Sequence, residues 1–166
     1  MYKISNKING QIDISTNKVY SKYNLINSFE SKIQVSNGDI SIDRLIFNLG
    51  KLGAADISGI VKNNGKFTNF KFENNIFIDN QKKLFSKFGI YNKENIPSNL
   101  YVSGNFDLTK SSIRFNEITA EEKLTEQDVT YIEKEFNNLM LENGYQSLFH
   151  FPKLKEFIKS VSDDEN

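Results

Sequence analysis

FESKIQVSNGDISID, residues 29–43, is the stretch whose reading decides the fold class. Phe29, Ile33 and Val35 alternate with Glu30, Lys32 and Gln34, the two-residue period of a strand with one buried face. Asn37-Gly38 follows. A type I′ hairpin turn needs positive φ at both central positions, which these two residue types adopt at least steric cost. Pairing across that turn sets Val35 opposite Ile40 and Ile33 opposite Ile42, both pairs on one face. Turn chemistry and hydrophobic pattern therefore agree on the register.

The alternation continues outward in both directions. Upstream, Tyr2 and Ile4 open it, and Ile8, Ile12 and Ile14 flank a second turn signal at Asn9-Gly10. A chain that begins mid-sheet reads as the end of something longer, with an open reading frame that extends upstream. Downstream, residues 45–49 change phase. Ile46 continues the face of Ile42, while Leu45, Phe47 and Leu49 point the other way, which implies a bulge near Arg44 or burial on both sides. Gly50 and Gly53 then break the chain. A hairpin turning at Asn64-Gly65 sets Val61 against Thr68, Gly59 against Phe70 and Ile57 against Phe72. Gly59 beneath Phe70 makes room for a ring, and Ser58, Lys62, Asn69 and Lys71 take the other face. A third hairpin, around residues 109–112, pairs Leu108 with Ile113 and Phe106 with Phe115.

Two segments carry the helical period instead. Leu84, Phe85 and Phe88 form a short amphipathic helix within residues 80–91, ended by Gly89. Pro97 marks the loop before the next strand. After residue 124, Thr125 and Asp128 resemble a capping box, Val129, Ile132, Phe136, Leu139 and Met140 form one stripe, and Gly144 suits the C′ position. Pro152 opens a further helix with Leu154, Phe157, Ile158 and Val161 inward. The expected fold is mainly β (α+β): a curled antiparallel β-sheet of hairpins with a short mid-chain helix and a C-terminal helical pair. Its parts are an amphipathic sheet domain at 1–120 with the short helix near 81–89, a helical segment at 121–162, and a disordered polar tail at 163–166.

Composition removes several function classes. The 166 residues carry 21 Lys+Arg and 21 Asp+Glu. Balanced charge leaves no basic stripe for nucleic acid and no global attraction to anionic lipid, though a local basic patch stays open. Cysteine is absent, so disulfides and thiolate metal sites are excluded. Residues 1–10 contain no secretory apolar region, and no apolar run approaches the ~20 residues of a membrane span.

No catalytic, cofactor-binding or metal-ligating constellation emerges. His150 is the sole histidine, lies between two phenylalanines, and reads as structural or surface. The carboxylate pairs Glu121-Glu122, Asp163-Asp164 and Glu133/Glu135 read as solvated, because acid–base work needs a concave site. Gly50 and Gly53 are spaced too loosely for a phosphate loop and precede a strand. Lysine adjoins phenylalanine at 66–67, 71–72 and 87–88, but stacking on nucleic acid needs exposed rings, and Phe70 and Phe72 lie on the apolar hairpin face. What remains is that face. The residues alone leave two readings open: the closed core of a small β domain, or an open groove that only two short helical segments are available to cover.

The stretch from Ser36 through Val61 resembles the AsmA-like superfamily of bacterial envelope proteins, which includes TamB and YhdP relatives. The cadence is a glycine, then alternating hydrophobics, then an Asp or Asn, carried by Gly38, Ile40, Ile42, Asp43 and Leu45. A closing "hydrophobic-x-G-x-hydrophobic" strand is carried by Ile57, Gly59 and Val61. Residues 101–108, containing VSGNFDL, repeat the closing cadence. The resemblance covers residues 8–118 and leaves the helical end outside. It implies a curled β-sheet with a hydrophobic groove, in the periplasm or cell envelope of a Gram-negative bacterium. It further implies a non-enzymatic, membrane-associated role in outer-membrane biogenesis through lipid transport or assembly. Phospholipid acyl chains would then lie along Ile33, Val35, Ile40, Ile42, Ile57, Phe70 and Phe72, with no cofactor. Partners would be neighbouring β repeats of a longer chain or an envelope protein. The other reading is a structural or protein-interaction module with a closed core and no lipid.

Overall fold

The computed structural model describes residues 7–20, 23–62, 69–91, 97–141 and 144–163. Its strands are β1 (Gly10–Thr16), β2 (Ser28–Ser36), β3 (Asp39–Asn48), β4 (Gly53–Val61), β5 (Asn69–Ile78), β6 (Asn99–Asp107) and β7 (Ser112–Thr119). They form one seven-stranded sheet in sequence order, each antiparallel to the next. The sheet is curled, as expected, and the structure shows it unclosed; the chain is mainly β. The helices are α1 (Gln81–Lys87), α2 (Glu126–Met140) and α3 (Phe151–Asp163).

The first hairpin has the register read from its turn: Val35 pairs with Ile40 and Ile33 with Ile42. Asn37 and Gly38 have φ of 50° and 83°, the positive pair a type I′ turn requires. A bulge sits where the phase changes. Asp43 has no partner on β2, and the register against β4 also shifts between Ile42 and Leu45. The bulge reverses the facing expected for this run. Leu45 and Phe47 join the side of Ile42, while Ile46 pairs with Asp56 on the opposite side.

Three turn readings are corrected. Asn9-Gly10 is not a type I′ turn, since neither residue has positive φ. Gly10 opens β1 opposite Val35, and the Asn9 side chain accepts the Asn37 N–H at 2.7 Å. In the β4–β5 pair, Val61 faces Phe70, Gly59 faces Phe72 and Ile57 faces Asn74, two residues away from the expected partners. The turn itself, Asn64-Gly65 with Thr68, and the opening pair Tyr2 and Ile4 lie outside the described residues. In the β6–β7 pair, Phe106 faces Ile113 and Gly104 faces Phe115, again a slip of two. Here Asp107 Oδ1 accepts both the Thr109 and Lys110 N–H at 2.9 Å, and Ser111 takes φ 52°. That Asx turn moves the loop to residues 108–111. A slip of two preserves side-chain facing, so one side of the sheet stays apolar despite both errors.

α1 is capped as its sequence implies. Asn80 Oδ1 accepts the Lys83 N–H at 3.0 Å, and Gly89 has φ 74°. Leu84 and Phe88 are buried with Leu52 and Ile78, and Leu154 and Ile158 of α3 pack on that cluster. Thr125 caps α2 by accepting from the Asp128 N–H, while its hydroxyl donates to Asp128 Oδ2 at 2.6 Å. Gly144 does not close α2, whose C-cap is Leu141. With φ 55° it opens a 3-10 turn (Gly144–Phe149) where an added Cβ would lie 2.9 Å from Ser111 Oγ. α3 runs through Asp163, so residue 163 belongs to the helix and not to a disordered tail, and 164–166 lie outside the described residues.

Candidate functional site: a half-roofed apolar sheet face

Cross-strand partners in an antiparallel sheet share a side, so the pairing places every residue on one face or the other. One lane runs Val35–Ile40–Val61–Phe70–Phe106–Ile113. The next runs Ile12–Ile33–Ile42–Gly59–Phe72–Gly104–Phe115, and a third brings Ile14, Leu45, Ile57, Val102 and Ile118 to the same side. All seven residues singled out from the sequence, Ile33, Val35, Ile40, Ile42, Ile57, Phe70 and Phe72, therefore stand on this one face. Each of the seven is half-buried.

Two glycines shape its centre. Phe70 is not opposite Gly59, yet its ring leans diagonally across to it: a Cβ on Gly59 would meet Phe70 Cε2 at 2.5 Å. Phe72 leans the other way, toward Gly104, whose added Cβ would lie 3.1 Å from Phe72 Cζ. The two rings stack with centroids 6.0 Å apart. Larger residues at either glycine would lift these rings off the sheet.

The helices roof the β7 side. Phe115 meets Phe136 of α2 edge-on at 5.8 Å, and Phe136 meets Phe157 of α3 at 5.5 Å. Exposure follows this roof. Val61 is 6% exposed, Ile113 9% and Ile118 4%, whereas Ile12 and Ile14 on β1 are 50% and 47% exposed. Within the roofed half, Asn74 stands between Ile57 and Val102, and its Oδ1 is buried without a hydrogen-bond partner.

The two sheet edges differ as sharply. Along β7, Asn137 of α2 accepts the Ile113 N–H at 2.8 Å and donates to the Ile113 carbonyl at 3.0 Å. Glu133 accepts the Phe115 N–H at 2.9 Å. Four helical residues rise about 6 Å and two strand residues about 6.8 Å, so side chains at i and i+4 match alternate edge residues. The carboxamide does what a peptide group of an eighth strand would do. This corrects the reading of Glu133 as merely solvated, and Asn137 was not singled out from the sequence at all. The signal was a polar i, i+4 pair flanking the apolar stripe, whose meaning depends on which strand lies beside it. β1 carries no such helix among the described residues.

The remaining chemistry is sparse. Among the described residues no group of three or more His, Asp or Glu side chains is placed to hold a metal. His150 is exposed, with its carbonyl accepting the Leu154 N–H. Glu121 and Glu122 are exposed. Lys71 and Phe72 lie on opposite faces, Phe88 is buried, and the pair at 66–67 lies outside the described residues. The seven face residues are hydrocarbon only, so the contact they offer is dispersion and water release, about 1 kcal/mol for a half-exposed isoleucine.

Protein-family models, curated proteins and solved structures contain no match to this chain. Among the described residues, no helix is long and apolar enough to cross a membrane.

Proposed function

We propose that this chain is a non-catalytic β module of an AsmA-like envelope protein that binds or guides phospholipid acyl chains along its apolar sheet face. The observation that carries the reading is the gradient of exposure. The helical roof ends before β1, and the continuous lane from Val35 and Ile33 to Ile40 and Ile42 runs out beneath it to half-exposed Ile12 and Ile14. An apolar lane of this kind is unfavourable in water and is relieved by a hydrocarbon guest, at about 0.8 kcal/mol per methylene buried. The mechanism is passive. Chains lie along Ile33, Val35, Ile40, Ile42, Ile57, Phe70 and Phe72, and headgroups stay at the rim in water. A periplasmic, outer-membrane-facing location belongs to the same reading. Native mass spectrometry of gently purified protein tests it: co-purifying phospholipid, lost in Ile33→Lys with Ile42→Lys, is the expected result. A clean apo mass from several expression hosts refutes it.

One observation favours a second reading, a protein-interaction module. β7 is sealed by Asn137 and Glu133, while β1 is an edge strand with two half-exposed isoleucines. A strand with alternating apolar side chains, such as a neighbouring β repeat, would extend the sheet there and continue the apolar lane. Cross-linking at β1 that survives removal of all lipid separates this reading from the first.

A further inference from the structure

We infer that the end of the fold formed by α1 and α3 is a docking patch for an anionic phospholipid bilayer. The chain as a whole is neutral, but α1 carries Lys82, Lys83 and Lys87 with no acidic residue. Lys155 and Lys159, one turn apart on α3, converge on the end of α1. A Cβ on Gly89 would lie 3.0 Å from Lys155 Nζ and 3.3 Å from Lys159 Cε. Lys87 Nζ is held nearby, donating to the Tyr23 carbonyl at 3.2 Å and leaving two of its three donors for other partners. Among the described residues no carboxylate lies within 4.0 Å of the Lys155 or Lys159 ammonium.

Capping of α1 does not account for this convergence. The Ile90 N–H bonds the Phe85 carbonyl and the Gly89 N–H bonds the Ser86 carbonyl, the two bonds of a Schellman motif. The Phe85 and Ser86 carbonyls near the end of α1 are thus already satisfied by backbone. Like charges one turn apart on a helix destabilise it slightly, so the cluster costs the free protein and is relieved by an anion. The surroundings favour a bilayer over nucleic acid. Tyr91 is 70% exposed, and Tyr23, 39% exposed, stacks on Phe151, which stacks on buried Phe88. Amphipathic rings over an apolar cluster with lysines around them match the layering of a membrane interface, charged outside and hydrocarbon beneath. None of the seven face residues belongs to the patch, so it stands or falls independently of acyl-chain binding.

The test is co-sedimentation of the full chain with vesicles of phosphatidylcholine alone or with about one-third phosphatidylglycerol, at about 0.05 and 0.5 M NaCl. Binding is expected only to the anionic vesicles, and weakly at high salt. Each surface lysine contributes about fivefold, so Lys155→Gln with Lys159→Gln weakens binding about 25-fold, while Lys155→Arg with Lys159→Arg retains it. Far-UV circular dichroism verifies the fold of each variant. If the double Gln variant does not fold, Lys87→Gln carries the same test with a fivefold loss. Equal binding to both vesicle types, full binding by a folded Gln variant, or displacement of the protein from vesicles by a single-stranded oligonucleotide at equal phosphate overturns the inference.

Discussion

Asn137→Ala is the substitution that most directly probes how the sheet is finished. Its carboxamide makes two bonds to one edge residue, to the Ile113 N–H at 2.8 Å and the carbonyl at 3.0 Å, in a part-buried setting. Ile113 itself is 9% exposed. Removing the carboxamide leaves a donor and an acceptor at the edge without protein partners. Each costs about 1–3 kcal/mol if it stays dry and less if water reaches it, so the pair costs about 2–3 kcal/mol. For a chain of this size that lowers Tm by about 5–10 °C. Asn138→Ala is the control, because Asn138 is exposed and bonds only Glu135 at 3.3 Å; its cost is under about 0.5 kcal/mol. Asn137→Asp keeps the acceptor for the N–H but faces the carbonyl with a carboxylate, so it costs more than Asn138→Ala. Urea denaturation reports the energies, and native-state amide exchange reports the site: Ile113 loses protection in Asn137→Ala. An Asn137→Ala protein within about 0.5 kcal/mol of the parent, with Ile113 still protected, refutes the edge-capping argument.

Three further outcomes follow from the same geometry. Gly59→Ala sets a methyl against the Lys71 carbonyl and the Phe70 ring, and costs about 2–3 kcal/mol by urea denaturation; a cost under about 0.5 kcal/mol means the ring has room to move. Asn74→Val removes a buried carboxamide oxygen that has no partner, so stability stays level or rises by about 1 kcal/mol; a loss larger than that means the amide is satisfied in solution. Ile12→Lys on the half-exposed edge strand changes Tm by only a few degrees but reduces co-purifying lipid, measured by native mass spectrometry; unchanged lipid load places the guest elsewhere.

The hairpins were legible to different depths. Asn37-Gly38 allows one tight turn, and its register could be read to the residue. The β6–β7 turn could not, because Asp107 captures two N–H groups and draws the loop back by two residues. The phase change after Ile42 was visible as an anomaly, but its resolution was inverted, since a bulge turns Leu45 and Phe47 inward and Ile46 outward. The seven face residues were recoverable because an error of two residues leaves facing unchanged. Asn137 and Glu133 were not, because a polar residue beside an apolar helical stripe has no assigned partner until the helix is docked.

Periodicity is a local property. The two-residue and 3.6-residue patterns, the Asn-Gly turn and the helix caps depend on neighbours in the chain, and so the sequence by itself determined the elements, the apolar side of the sheet and, outside the bulge after Ile42, which residues lie on it. How far the helices roof that side is a long-range property. It depends on α2 settling along β7, where its carboxamide and carboxylate complete the last strand, and on α3 bridging α1 and α2. Only the tertiary structure decided that one edge is closed, that the other is uncovered among the described residues, and that lysines from two helices meet at Gly89.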